Sequence, residues 1–233
     1  IRTKQSKIEY ITELSQSTTY DLSRNAEHWR DFLITASSLY KYEFPDQLLI
    51  HAQRPDATAC AELNTWNRRM NRYVNRGAKG IALIDDSSNA PRLRYVFDIS
   101  DTRPSRYGTS RTPYRWEVTE ENTEHILSML HNRYGVNNKY FTDAVKRSAE
   151  RLVNDNLDEY VHEIMQSKAD SFMEEMDRVN IRKNFRDLAV NSVEYCVLTR
   201  FGYKADDFIP LDDFSAVCDF NTIDTMAVLG TAV

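Results

Sequence analysis

Residues 42–102 read YEFPDQLLIHAQRPDATACAELNTWNRRMNRYVNRGAKGIALIDDSSNAPRLRYVFDISDT, and this stretch decides the fold of the first half of the chain. Apolar residues at Leu48, Leu49 and Ala52 predict a short helix, and residues 61–70 predict another. Residues 72–84 have the pattern of a hairpin turned at its two glycines, and residues 92–100 add a strand. The stretch therefore predicts a small antiparallel sheet with packed helices.

The strand at 92–100 alternates, so its side chains divide between two faces. One face carries Leu93, Tyr95, Phe97 and Ile99, and the other carries Arg92, Arg94, Val96 and Asp98. We expect the aromatic face to meet the core and the arginine face to be solvated.

Working outward from this stretch, the pattern predicts four segments. Residues 1–26 are polar and predict an arm or a leading helix, and residues 27–101 predict an α+β domain. In that domain Trp29, Phe32 and Leu33 follow helical spacing and are expected to line the same core. The turn-rich residues 102–117 predict a mobile basic loop and a domain boundary.

The remaining residues, 118–233, predict an all-helical domain. It begins at Thr119 with two acidic residues behind it, and glycines at 135 and 202 end two of its helices. Further helical segments are expected near 138–153, 155–166, 170–179 and 183–201. The chain stops inside a segment that has the pattern of a helix begun at a Thr N-cap, so we expect a truncated domain of a longer protein.

Charge is distributed unevenly along the chain. Residues 50–119 hold 12 Lys and Arg against 7 Asp and Glu, whereas residues 120–233 hold 12 against 21. A formal net charge of −5 thus conceals a basic middle. A basic patch with aromatic neighbours suits a phosphate backbone that carries unstacked bases.

The composition excludes several classes of protein. With 233 residues and 41% hydrophobic content the chain can build a core, and it has no run of 18 apolar residues and no signal-like start. We expect a cytoplasmic protein without a membrane partner. Three distant cysteines, Cys60, Cys196 and Cys218, predict reduced thiols rather than disulfides or a metal site.

The basic residues and their aromatic neighbours form one candidate nucleic-acid site. We expect arginines and a lysine to contact phosphates and two tyrosines to stack on bases. The candidate residues are Arg68, Arg69, Arg72, Tyr73, Arg76, Lys79, Arg92, Arg94, Arg103, Arg106, Tyr107 and Arg111. Trp66 is expected to pack in the core, while Tyr114 and Trp116 are further rings available for stacking.

The segment Arg76-Gly-Ala-Lys-Gly80 has two interpretations. Its glycines permit a tight backbone whose N–H groups could converge on a phosphate beside two cations. Alternatively, it is a hairpin turn that needs glycine for a positive φ. It is not a Walker loop, because the Gly-x-x-x-x-Gly-Lys spacing is absent.

Enzyme chemistry finds little support in the chain. The five histidines are scattered and none forms His-Glu-x-x-His. Adjacent acids such as Asp85-Asp86 and Asp212-Asp213 are interpreted as turn and cap residues, since neighbours on a strand point to opposite faces. We therefore expect no catalytic residue, cofactor or metal, and a metal-dependent nuclease is the least favoured alternative.

The chain also resembles a family. It is similar to the N-terminal domain of ArdC-like antirestriction proteins, and more closely to the N-terminal module of large polyvalent proteins of conjugative and integrative elements. The residues that carry the resemblance are Trp29, Phe32, Leu33, Gln47–Ile50, Ala52–Pro55, Ala57, Thr58, Trp66, Val74, Arg76–Ile81 and Tyr95–Asp98. In the polyvalent module it continues through Asn184–Arg186, Leu198–Arg200 and Phe220–Thr222.

What the resemblance implies is a non-enzymatic module that binds DNA, single strands above all, in a mobile-element protein with further domains in the same polypeptide. The alternative, from the residues alone, is a module that inhibits a host defence or regulatory protein through its acidic helical surface. The two differ in whether the partner is nucleic acid or protein.

Overall fold

The computed structural model describes residues 4–87, 90–114 and 117–233, with side chains from residue 7 onward. It divides into two compact units. The first unit comprises residues 1–18 and 38–114, and the second comprises residues 19–37 and 115–233. This division differs from the predicted boundaries, because an N-terminal segment, 19–37, belongs with the C-terminal half.

The predicted α+β class is confirmed, with few strands in the first half and helices throughout the second. The helices are α1 Lys4–Leu22, α2 Ala26–Ser38, α3 Phe44–Gln53, α4 Leu63–Arg68, α5 Glu120–Tyr134, α6 Phe141–Ser167, α7 Arg178–Arg200 and α8 Ile223–Ala232. The strands are β1 Cys60–Glu62, β2 Arg72–Val74, β3 Ile81–Asp85, β4 Arg92–Asp98 and β5 Thr102–Pro104. Short 3-10 segments lie at Ile99–Asp101, Ala205–Asp207 and Leu211–Asp219.

Two antiparallel sheets form in the first unit. One has the strand order β1-β4-β3, and the other pairs β2 with β5. The predicted hairpin between residues 72–76 and 81–84 is therefore wrong. The ladder of β2 and β5 continues where Asn75 N donates to Asp101 O at 2.8 Å, so the backbone of β2 is already paired and β3 pairs with β4 instead.

The predicted faces of β4 are only partly correct. Leu93 packs against the apolar cluster and Arg92 is exposed, as predicted, but Tyr95 and Val96 have exchanged roles. Val96 is 0% exposed, whereas Tyr95 on the opposite face is 44% exposed. Arginine can lie on the buried side because Arg94 forms an ion pair with Asp46 at the start of α3. Pairing of this kind offsets part of the cost of placing a charge against a core.

Helix α3 packs on this buried face of the sheet. Leu49 and Ile50 of α3 meet Ile81 and Leu83 of β3 in one apolar cluster. Gln53 at the end of α3 closes the outer edge of β3, since its Nε2 donates to Ala82 O and Ala82 N donates to its Oε1, both at 2.9 Å. An edge strand that would otherwise expose its backbone is thus partly satisfied.

The second unit is a helical bundle built on α6 and α7, with α8 and the segment Leu211–Asp219 packed against them. Trp29 of α2 is 0% exposed and its Nε1 donates to Ser192 Oγ of α7 at 2.9 Å. The prediction that Trp29, Phe32 and Leu33 line the core of the α+β domain is therefore wrong. Their helical spacing is correct, but the apolar stripe packs in the second unit.

Helix ends in the second unit follow the predicted signals. Thr119 caps α5 within a capping box, and Gly135 ends it with φ 65°. Gly202, with φ 83°, follows the last residues of α7. The two segments predicted at 138–153 and 155–166 are one helix, α6. The segment predicted at 170–179 is a turn region up to Asp177, and α7 begins at Arg178.

The N-terminal segment predicted as an arm or a leading helix is a helix, α1. Within the residues described here, no helix has both the length and the apolar character that crossing a bilayer requires.

Candidate nucleic-acid interface

The candidate site is built on the ribbon formed by β2 and β5. Three residues of each strand pair, which gives a ribbon about 10 Å long. Tyr73 lies directly opposite Arg103, so the two side chains share one face about 5 Å apart at Cβ. Tyr73 is 45% exposed and Arg103 is exposed as well.

One end of the ribbon is organised by Asn71, which precedes β2. Asn71 has φ 51° and its Nδ2 donates to Tyr107 O at 2.8 Å. Asn71 O in turn accepts from Ser105 N at 3.0 Å and from Ser110 Oγ at 2.7 Å. Residues 105–111, which we call the Asn71 loop, are therefore folded around the side chain and the backbone carbonyl of Asn71.

The Asn71 loop carries three of the predicted site residues, Arg106, Tyr107 and Arg111, all of them exposed. Tyr107 is 86% exposed and Arg106 is exposed beside it. Gly108 has φ 76°, and a Cβ there would lie 3.3 Å from Asn71 Nδ2. Arg111 N donates to Met70 O at 2.8 Å, which closes the loop beside Arg69. Part of the predicted mobile loop thus has its own hydrogen-bond network.

The other end of the ribbon leads into the segment Arg76–Gly80. Its glycine motif does not turn a hairpin, since β2 and β3 belong to different sheets. Gly77 has φ 87°, which favours glycine. Arg76 and Lys79 are both exposed on this connection.

Seven cations along these elements are exposed and form no salt bridge with any carboxylate that the structure describes. We call them the basic surface: Arg68, Arg69, Arg76, Lys79, Arg103, Arg106 and Arg111. They lie at both ends of the ribbon and in its middle. Cations without a carboxylate partner are available to a phosphate backbone.

Three of the predicted cations are engaged within the protein. Arg72 is 8% exposed, and its Nε donates to Thr102 Oγ1 at 2.8 Å. Arg94 is held by Asp46, and Arg92 lies 3.7 Å from Asp85. Alternation along β2 turns Arg72 inward when Tyr73 turns outward. We therefore remove Arg72 and Arg94 from the candidate surface and treat Arg92 as partly neutralised.

The aromatic candidates also separate into two groups. Tyr73 and Tyr107 are exposed, and so is Tyr114 at 76%. Trp66 is 1% exposed and its Nε1 donates to Phe97 O at 2.9 Å, as expected of a core residue. Arg115 and Trp116 lie outside the described residues.

Beneath the ribbon, Asp98 fixes the chain that leads into β5. Asp98 is 1% exposed, and its Oδ2 accepts from Thr58 N at 2.8 Å and Ala59 N at 2.9 Å. Its Oδ1 accepts from Ser100 N at 2.9 Å and Ser100 Oγ at 2.7 Å. Burial raises the pKa of Asp98, but these hydrogen bonds outweigh it and hold the pKa below its ordinary value.

Asp46 shows the cost of the Arg94 ion pair. Burial raises the pKa of Asp46, and the Arg94 guanidinium only partly opposes this. The ion pair joins β4 to α3, so Arg94 is not available to bind a ligand.

The two units differ in charge. The first unit contains 15 Lys and Arg against 10 Asp and Glu, and the second contains 15 against 25. Their net charges of +5 and −10 account for the −5 of the chain. The basic surface belongs to the positive unit.

Metal chemistry is not indicated among the residues that the structure describes, where no group of three or more potential ligands is close enough to hold an ion. The three cysteines are free, and burial raises the pKa values of Cys60 and Cys196 to about 12. These two thiols are therefore poor nucleophiles at neutral pH.

Sequence reasoning missed the residues that hold the site together. Asn71 carries a signal, because asparagine tolerates positive φ better than most residues. Asp98 carries a partial signal, because Asp-x-Ser predicts the local turn in which Ser100 donates to it, but its donors Thr58 and Ala59 lie 40 and 39 residues earlier in the chain.

Comparison of the chain with protein-family models, with curated proteins and with solved structures finds no match. The resemblance to ArdC-like modules therefore stays a prediction.

Proposed function

We propose that the first unit binds single-stranded DNA along the ribbon of β2 and β5, as a non-enzymatic module of a mobile-element protein. The observation that carries the proposal is the basic surface, seven exposed cations without carboxylate partners in the described chain. They are interleaved with Tyr73 and Tyr107, which offer exposed rings for bases.

Single strands are favoured over duplex by the aromatic side chains. In a duplex the base faces are stacked on one another, so an exposed tyrosine ring has nothing to stack on. In a single strand each base can leave its neighbours and lie on a ring. The role in a mobile element rests on the resemblance alone.

The test is fluorescence anisotropy of a labelled single strand of about 20 nucleotides, compared with a duplex at two salt concentrations. We expect preference for the single strand and a steep fall in affinity with salt. The variant R76A/K79A/R106A should lose most of the affinity, because about 0.7 counterions are released per neutralised phosphate on a single strand.

The matched control is R133A/R178A/K183A, which removes three exposed cations from the second unit. It changes the net charge of the chain equally and should bind as the unchanged protein does. Equal losses in both triple variants would show that only overall charge matters. Affinity that stays flat with salt would contradict phosphate binding.

A second candidate function is favoured by the charge of the second unit, −10. Helix α6 exposes Asp155, Glu159 and Glu163 at four-residue spacing, which places three carboxylates along one helix face. Such a surface suits a basic protein partner, including a host defence protein. Capture of one defined basic protein after nuclease treatment, abolished by lysines at these three positions, would support it.

A further inference from the structure

The exposed face of β4 presents an aromatic ring that the basic surface does not include. Tyr95 is 44% exposed, whereas its neighbours in the strand, Arg94 and Val96, point to the side covered by α3. Its partner across the ladder is Ala82 of β3, whose side chain is too small to cover the ring. One part of the ring is thus left open.

Gly80 is packed against this ring. A Cβ on Gly80 would come within 3.2 Å of Tyr95 Cβ, Tyr95 Cδ1 and Phe97 Cζ. No positive φ is needed at this position, unlike at Gly77. The second glycine of the Arg-Gly-Ala-Lys-Gly motif therefore serves the close approach of the backbone to two rings.

This approach places the backbone of a cationic residue next to the glycine that touches the ring. Lys79 precedes Gly80, so its Cα lies about 3.8 Å from the glycine that touches Tyr95. Lys79 is exposed and belongs to the basic surface. A lysine for a phosphate and a flat ring for a base are the two contacts that one nucleotide of a single strand requires.

We propose that Tyr95 is a base-stacking position, with Lys79 holding the phosphate of the same or the adjacent nucleotide. The proposal rests on the function proposed above and names the ligand more closely, an unpaired base of single-stranded nucleic acid. It also gives the glycine motif a purpose, since Gly80 lets the backbone that follows Lys79 pass close to the ring.

The test combines changes on both partners. The protein variants are Tyr95→Leu and Tyr95→Phe, with Tyr20→Leu as a control at a tyrosine of the second unit that is 50% exposed. The probes are a labelled single strand of about 20 nucleotides and a strand of the same length with abasic sites throughout. Binding is measured by fluorescence anisotropy at low salt.

We expect Tyr95→Leu to weaken binding of the base-bearing strand by about 5- to 150-fold. Tyr95→Phe and Tyr20→Leu should bind as the unchanged protein does. On the abasic strand, Tyr95→Leu and the unchanged protein should be equal, because only phosphate contacts remain.

Failure can be assigned to one proposal or the other. If K79A weakens binding and Tyr95→Leu does not, DNA binding holds and the stacking position is wrong. If the unchanged protein binds neither strand at low salt, both proposals fail. If the leucine variant does not fold, photocrosslinking of the unchanged protein to an iodouracil-bearing strand decides: attachment at Tyr95 supports stacking, and attachment only elsewhere overturns it.

Discussion

The two units treat a buried carboxylate in opposite ways. In the first unit, Asp98 is 1% exposed and both of its oxygens accept hydrogen bonds. In the second, Glu194 is 4% exposed and its Oε2 has no hydrogen-bond partner among the described residues. The pKa of Asp98 is lowered, whereas burial raises the pKa of Glu194 and Lys146 only partly opposes it.

The comparison shows that burial alone does not decide the ionisation of a carboxyl group. The number of N–H and O–H donors that reach it decides the direction. The first unit therefore buries a fully hydrogen-bonded carboxylate, and the second has an unsatisfied acid inside an acidic bundle.

The largest effect is expected at Asp98. Asn in its place keeps one acceptor but turns an NH₂ group toward the N–H donors of Thr58 and Ala59. We expect D98N to lower the free energy of unfolding by about 3 kcal/mol, because the charged acceptor is lost and the N–H donors of Thr58 and Ala59 are left without one. Urea denaturation followed by circular dichroism measures this, with the exposed Asp86→Asn as control.

The same change has a pH signature. The pKa of Asp98 is lower in the folded protein than the value of about 3.9 in the unfolded chain. Its contribution to the free energy of unfolding is therefore fully present above about pH 3.9, and it is lost as the pH falls through the folded-state pKa. The stability difference between the unchanged protein and D98N should therefore shrink below about pH 4. A difference that is independent of pH would contradict the role of the charge.

An intermediate effect is expected at Asn71. Alanine there loses the side-chain hydrogen bonds to Tyr107 O and Thr109 O and must also adopt a φ of 51°, so we expect N71A to cost about 2 kcal/mol. Glycine accepts that φ and loses only the hydrogen bonds, so N71G should cost about 1 kcal/mol. Urea denaturation measures both, and anisotropy should show weaker binding of single strands by both variants. Equal free energies of unfolding for the unchanged protein, N71A and N71G would show that the Asn71 side chain does not stabilise the loop.

The smallest effect, with the opposite sign, is expected at Glu194. The pKa of Glu194 is higher in the folded protein than the value of about 4.3 in the unfolded chain. Its ionisation therefore lowers the free energy of unfolding as the pH rises from the unfolded-state pKa through the folded-state pKa. E194Q removes this cost and should raise the free energy of unfolding at pH 7 by about 1 kcal/mol. Thermal melting at pH 4 and pH 7 measures it. A gain that is equal at both pH values would show that the charge is not the cause.

These contrasts also mark what the sequence could predict. Helices with clear caps, such as α5 between Thr119 and Gly135, follow from local signals, which predict them. Local signals do not predict that Val96 is buried and Tyr95 exposed in β4, because the acid that pairs with the neighbouring Arg94 is Asp46, 48 residues earlier. Periodicity shows which residues share a face, but it does not show which face a distant helix covers.

The candidate site divides in the same way. The exposed cations could be listed from composition, since a cluster of arginine and lysine is visible without a structure. The sequence does not show which of these cations lack a partner in the protein. Arg72 is engaged because β2 pairs with β5, which brings Thr102 to it, whereas the predicted hairpin pairs β2 with β3. Tyr95 was assigned to the core for the related reason that an aromatic strand face is usually the buried one.

The contact between Trp29 and Ser192 has a consequence for synthesis. The two residues are 163 positions apart, so a ribosome that adds about 5 to 20 residues per second makes Ser192 roughly 8 to 33 seconds after Trp29. During that interval the apolar stripe of α2 has been made and its partner helix has not. A nascent chain that exposes Trp29, Phe32 and Leu33 for so long is a natural client for a chaperone.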